Sequence, residues 1–151
     1  MSAFDPQNPD FEACVRTSFA RQKLMETVGA SLTRVSAGEV EIELLFRDDL
    51  TQQHGFLHGG IVAGILDSAC GYAALSLMPV NSAVLTIEYK VNFVAPARGW
   101  RMTAHGGVTR PGRTITVCAG DLFVRSDGEE KLVATMLATM LAVRDRADLQ
   151  G

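Results

Sequence analysis

The reading of this chain turns on residues 58–78, His58-Gly59-Gly60-Ile61-Val62-Ala63-Gly64-Ile65-Leu66-Asp67-Ser68-Ala69-Cys70-Gly71-Tyr72-Ala73-Ala74-Leu75-Ser76-Leu77-Met78. On a helical wheel the apolar residues after the two glycines fall on every side and leave no face for water. A helix hydrophobic all round is buried in protein or spans a membrane. A bilayer needs about 20 apolar residues and makes a charge near its centre expensive; Asp67 sits near the middle of this stretch. The residues that follow offer a cheaper solution, a sheet wrapped round the helix. Asp67 is then the one ionisable group on a buried element. An unpartnered buried carboxylate is costly, so its presence calls for a chemical reason.

Toward the C-terminus the hydrophobic period becomes two beyond Pro79, and strands are expected over 83–94, 100–109, 114–125 and 131–143. Ala95-Pro96-Ala97-Arg98-Gly99, Arg110-Pro111-Gly112-Arg113 and Ser126-Asp127-Gly128-Glu129 separate them, each carrying Gly or Pro. Short turns between consecutive strands imply an antiparallel meander. The tail from Arg144 is charged and expected to fray. Toward the N-terminus, residues 47–57 read as a polar loop. Ala37-Gly38 reads as a hairpin turn between strands over 31–35 and 39–46. In the second of these Glu39, Glu41 and Glu43 alternate with Val40, Ile42 and Leu44, the pattern of a strand with one wet face. Residues 1–10 form an irregular arm, and Asp10 caps a helix running to about 27 with Phe11, Val15, Phe19 and Leu24 on its apolar side. The expected organisation is an arm and helix over 1–28, one domain over 29–145 and a tail over 146–151.

A chain of 151 residues, 47% hydrophobic and 21% charged, suits one domain with a sizeable core. A formal charge of -3 gives no support to nucleic-acid binding or attraction to anionic membranes. No basic, then apolar, leader opens the sequence. Cys14, Cys70 and Cys118 are odd in number and form no CxxC pair, so they read as reduced thiols of a cytoplasmic protein. No GxSxG elbow, GxGxxG turn or P-loop is present. His54 and His58 are separated by the helix-breaking Gly55 and have no third histidine close in sequence, so no metal is assigned.

His58-Gly59-Gly60, followed by Leu66-Asp67-Ser68-Ala69 and Gly71-Tyr72-Ala73-Ala74, resembles the hotdog-fold acyl-CoA thioesterases of the phenylacetate-degradation, or PaaI-like, type. Val91-Asn92-Phe93-Val94-Ala95-Pro96-Ala97 and Arg110-Pro111-Gly112-Arg113-Thr114 resemble that family's following strand and turn, so the likeness covers residues 46–143. The HGG triplet alone is weak, since it recurs at His105-Gly106-Gly107. An acid nine positions after the histidine on a buried helix makes it specific. The resemblance implies an α+β hotdog fold, with six antiparallel strands curled round one long helix over 60–78 and an extra N-terminal helix. It also implies hydrolysis of an acyl-CoA thioester without a cofactor, CoA being part of the substrate. Self-association as a dimer, or a dimer of dimers in a homotetramer, goes with it. The rival classes are a hotdog hydratase or dehydratase and a non-catalytic acyl-CoA-binding module.

Within the resemblance, Gly59 is the amide donor for the oxyanion, at a helix end where N–H groups are unpaired and the dipole is positive. Asp67 is the carboxylate, as nucleophile or as base on water, and His58 counts with them as a catalytic candidate, either a base or a helix-entry residue bonding backbone. The family's amide six positions before the histidine, commonly Asn, is here Gln52. Its strand hydroxyl maps to Thr86. Gly60 and His54 flank the substrate path, and Lys90, Arg98, Arg110 and Arg113 are the cations available to CoA phosphates. An apolar acyl tail is expected between helix and sheet. Spacing adds a point independent of family. Gly59 and Asp67, eight residues apart, lie about 12 Å apart along one helix. One carbonyl carbon cannot touch both, so a site using both must join two subunits.

Overall fold

The chain forms two short helices, α1 (Phe11–Arg21) and α2 (Lys23–Val28), then a hairpin, β1 (Ser31–Ser36) and β2 (Glu39–Leu45). One long helix, α3 (Gly59–Leu75), precedes four strands, β3 (Ser82–Phe93), β4 (Arg101–Arg110), β5 (Ile115–Ser126) and β6 (Glu129–Arg144). The computed structural model describes residues 3–151, so the first two residues of the expected arm lie outside it. The strands make one antiparallel sheet in the order β1-β2-β4-β5-β6-β3. The sheet curls round α3, and twelve of that helix's seventeen residues are buried. The alternation of β2 holds: Val40, Ile42 and Leu44 are buried against α3 and the glutamates face away.

Close approach of α3 to the sheet depends on two glycines paired across β4 and β5, Gly106 and Gly120. A Cβ on Gly106 would stand 2.3 Å from the carbonyl carbon of Ala69, and one on Gly120 2.9 Å from Cys70 Sγ. Their missing side chains form the seat on which the middle of the helix rests. The second HGG triplet therefore serves packing.

Several expectations are corrected. The N-terminal helix is broken at Gln22, whose extended backbone ends α1 and starts α2, and Asp10 occupies the N-cap position without a side-chain bond. The central helix stops at Leu75 rather than 78. Its last amides close in turns, Leu77 to Ala74 and Met78 to Leu75, ahead of Pro79. Residues 95–99 are not a hairpin, because β3 pairs with β6 at the far edge of the sheet. Only β4, β5 and β6 form a meander. Turn residues mark where a strand ends and not which neighbour it takes. The tail folds back: Gly151 N–H donates to the Ser82 carbonyl, and Arg21 donates to that of Gln150.

One irregularity sets the orientation of β3. Thr86 pairs with Met140 and Glu88 with Thr139, so Ile87 is an extra residue, a bulge. Thr86 can then face α3 while Glu88, two positions on, faces outward to Thr139.

Candidate active site

At the start of α3 the backbone leaves one donor over. His58 is the N-cap; its Nδ1 accepts the Gly60 N–H at 2.8 Å. Its carbonyl accepts the amides of Ile61 and Val62 at 3.0 and 3.2 Å. The N–H of Gly59 is thereby the first-turn amide left for a ligand, at the positive end of the helix. An Nδ1 that accepts carries its ring proton on Nε2, so His58 acts here as a cap. Gln52 Oε1 accepts from the amides of His54 and Phe56 at 2.5 and 3.4 Å, which ties the preceding loop together and leaves its NH2 group unspent. Gly59, Gln52, Phe56 and Phe93 line a cavity of about 490 Å³. A Cβ on Gly59 would stand 3.1 Å from Phe93 Cζ, so a side chain here would crowd the Phe93 ring.

Two turns further along α3, Asp67 is half-buried and Thr86 Oγ1 donates to its Oδ1 at 2.7 Å. Both residues line a second cavity, of about 400 Å³. The structure therefore brings the predicted residues together in two pairs, Gly59 with Gln52 and Asp67 with Thr86. The pairs lie in separate cavities along the groove between α3 and β3, because one straight helix holds Gly59 and Asp67 apart. His54 lines neither cavity and neither do the cations. Lys90 is exposed on β3, Arg110 ends β4, and Arg113 shares a surface depression with Arg144.

Sequence reasoning missed the far wall of the Asp67 cavity. Ser18, Arg21 and Gln22 from the N-terminal helices, with Leu149 and Gln150 from the tail, face Asp67 across it. That wall is polar, so the space is not the apolar slot expected between helix and sheet. Only the apolar periodicity of α1 was readable; its polar side carries no motif. Cys70, one turn from Asp67, is no rival nucleophile. Burial above all, then Cys118, Asp67 and Asp121, raise its thiol far above the usual range.

Residues 54–131 match the thioesterase superfamily. The chain belongs to that family. A thioesterase family protein from Silicibacter pomeroyi has the same fold with a TM-score of 0.88 and 50% identity, over 89% of this chain and 99% of that one. The PaaI protein of the Escherichia coli phenylacetic acid degradation operon shares the fold at a TM-score of 0.81 and 16% identity, over 91% of this chain and 96% of its own. A medium/long-chain acyl-CoA thioesterase of Escherichia coli is 29% identical over 56% of this chain and 61% of its length. The resemblance read from the HGG and Asp67 motif stands at the level of the superfamily: this is a hotdog-fold thioester hydrolase. Among the described residues no helix is long and apolar enough to cross a membrane.

Proposed function

We propose that the protein hydrolyses acyl-CoA thioesters at a site made by two subunits, Asp67 and Thr86 from one and Gly59 and Gln52 from the other. The observation that carries this reading is the separation of the unspent Gly59 amide from Asp67 along one straight helix. The Thr86 hydroxyl holds Oδ1 of Asp67 and leaves Oδ2 for chemistry. Asp67 either takes a proton from the attacking water or attacks the thioester carbon itself, forming an anhydride that water then opens. In both routes the carbonyl oxygen becomes negative, and the partner's Gly59 N–H stabilises it in place. Gln52 lends its NH2 group to the same oxygen or to the water. Collapse expels the CoA thiolate, which needs little acid help because a thiol pKa is about 8.5. No step requires a cofactor, and an acyl-CoA substrate puts the work in the cytoplasm.

For the CoA phosphates we assign Arg98 first. Its guanidinium lies over the ring of Phe56, a wall of the Gly59 cavity. Lys90, Arg110 and Arg113 remain available from the surface. The test is a panel of acyl-CoA thioesters with detection of free thiol, run with the wild type and Asp67→Asn. Thiol release by the wild type and its loss in the variant support the reading. Acyl-CoA binding without turnover would make the protein a binding module, and water addition without thiol release a hydratase.

A further inference from the structure

The cavity beside Asp67 extends past the reacting groups to a cluster of unused donors. Asp67, Ser68, Gly71 and Tyr72 form one stripe of α3 along its floor. Gly71 adds no side chain there; a Cβ would meet only Val84 Cγ1, at 3.9 Å. At the far end Ser18 Oγ and Tyr72 Oη share one hydrogen bond of 3.4 Å, so whichever hydroxyl donates, one O–H is left over. Ser68 Oγ and the Gln22 amide share another, of 3.1 Å, and again at least one N–H or O–H remains. Arg21 is bonded only to the carbonyl of Gln150, and among the described residues no carboxylate pairs with it. Of the cavity's other acidic groups, Asp148 is held by Arg146, and Gly151, the last residue of the sequence, lines the cavity beside Gln150 with its N–H on the Ser82 carbonyl. Burial raises the Tyr72 phenol, the Ser18 bond and the positive charge of Arg21 pull the other way, and the phenol stays a donor. Arg21 follows Ser18 by one turn of α1 and lines the same cavity as Ser18 and Tyr72.

That end offers donor hydrogen and the guanidinium of Arg21, which no side-chain carboxylate of the described residues pairs with. Resting on the thioesterase reading above, we infer that the preferred acyl group ends in a carboxylate, received by Arg21 with Tyr72 and Gln22. Orientation follows from charge: Asp67 repels the carboxylate from the reacting end and Arg21 draws it to the other. Length follows from the helix. Five residues separate Asp67 from Tyr72, a rise of about 7.5 Å, and an extended chain advances ~1.2 Å per bond. A six-carbon diacid joined to CoA through one carboxyl spans that interval.

Adipyl-CoA, its methyl ester at the free carboxyl, and hexanoyl-CoA share a chain length and differ at the far end. In the wild type we expect kcat/KM for adipyl-CoA to exceed that for hexanoyl-CoA by about tenfold or more. The methyl ester should fall near hexanoyl-CoA, and Arg21→Gln should bring the adipyl-to-hexanoyl ratio close to one. Hexanoyl-CoA turned over as fast as adipyl-CoA overturns the inference and leaves the thioesterase reading standing. So does a preference that the ester keeps or that survives in Arg21→Gln. Thiol release from none of the three, nor from the wider panel, removes both.

Discussion

Asp67→Asn keeps the size of the side chain and its oxygen acceptor for Thr86, and removes only the negative charge. We expect kcat to fall about 100-fold or more with KM little changed, measured as thiol release on the best substrate of the panel. A variant with near-native turnover would mean that the carboxylate is structural. Thr86→Val keeps the strand shape and deletes the donor, so a smaller loss of about tenfold is expected in the same assay. The cysteines give an independent check on burial. The thiol of Cys118 is pushed up to about 12 by burial, and that of Cys70 is raised as well. A group whose pKa lies above the working pH keeps its proton, so at pH 8 both remain thiols. An aromatic disulfide reagent should label neither in the folded protein and both once it is denatured; rapid labelling of two or more thiols in the native state would contradict the packing. Asp67 stood out in the sequence because a lone acid on an all-apolar helix is a conflict, and the structure sets it at a cavity with the Thr86 hydroxyl on its Oδ1. Arg21 was not, because a charged residue on an exposed helix face looks the same whether or not a cavity opens beneath it.

Among the elements, α3 and its seat explain most of the fold, and they answer to a single substitution. Gly106→Ala drives a methyl group to 2.3 Å from the backbone of Ala69, where no flexible side chain can yield. Helix or strand must shift, at a cost of about 2 kcal/mol or more. For a chain of this size the melting temperature should fall by roughly 5 °C or more, and an unchanged melting curve would show that the seat is not needed. Gly71→Ala is the matched control, since its Cβ meets nothing closer than 3.9 Å. Period-two patterning and turn residues placed all six strands within a few residues, and in β2, β4, β5 and β6 one face lies against the core. It could not place β3 beside β6, since pairing across a sheet is decided by how the chain crosses its end and not by local composition. Nor could it find the bulge at Ile87. One extra residue leaves the composition of a strand unchanged and alters only which side chains face the helix.

For the whole molecule, β3 is the element that a single protomer leaves unfinished. It pairs only with β6, its other edge is open, and Leu85, Ile87, Tyr89 and Phe93 are 43–54% exposed. A long apolar edge strand invites another strand, and antiparallel pairing of β3 with its own copy would extend the sheet across two subunits. The register follows from the chemistry. Thr86 holds Asp67, and Phe93 lies against Gly59, so the two halves of the site meet when Thr86 of one chain faces Phe93 of the other. The two-fold axis then passes midway, at Tyr89 and Lys90, and each dimer carries two sites. Gly59→Val fills the space between the Gly59 amide and the Phe93 ring and so blocks the oxyanion end, while Asp67→Asn disables the acid end. In a mixed dimer of these two variants, one site receives both lesions and the other receives neither. Random reassociation of equal amounts makes half of the dimers mixed, and each regains one of its two sites. About a quarter of wild-type activity should therefore return when two inactive proteins are unfolded together and refolded. Activity that stays at the level of the separate variants, with mixed dimers shown by mass, would place Gly59 and Asp67 in different functions rather than in one shared site.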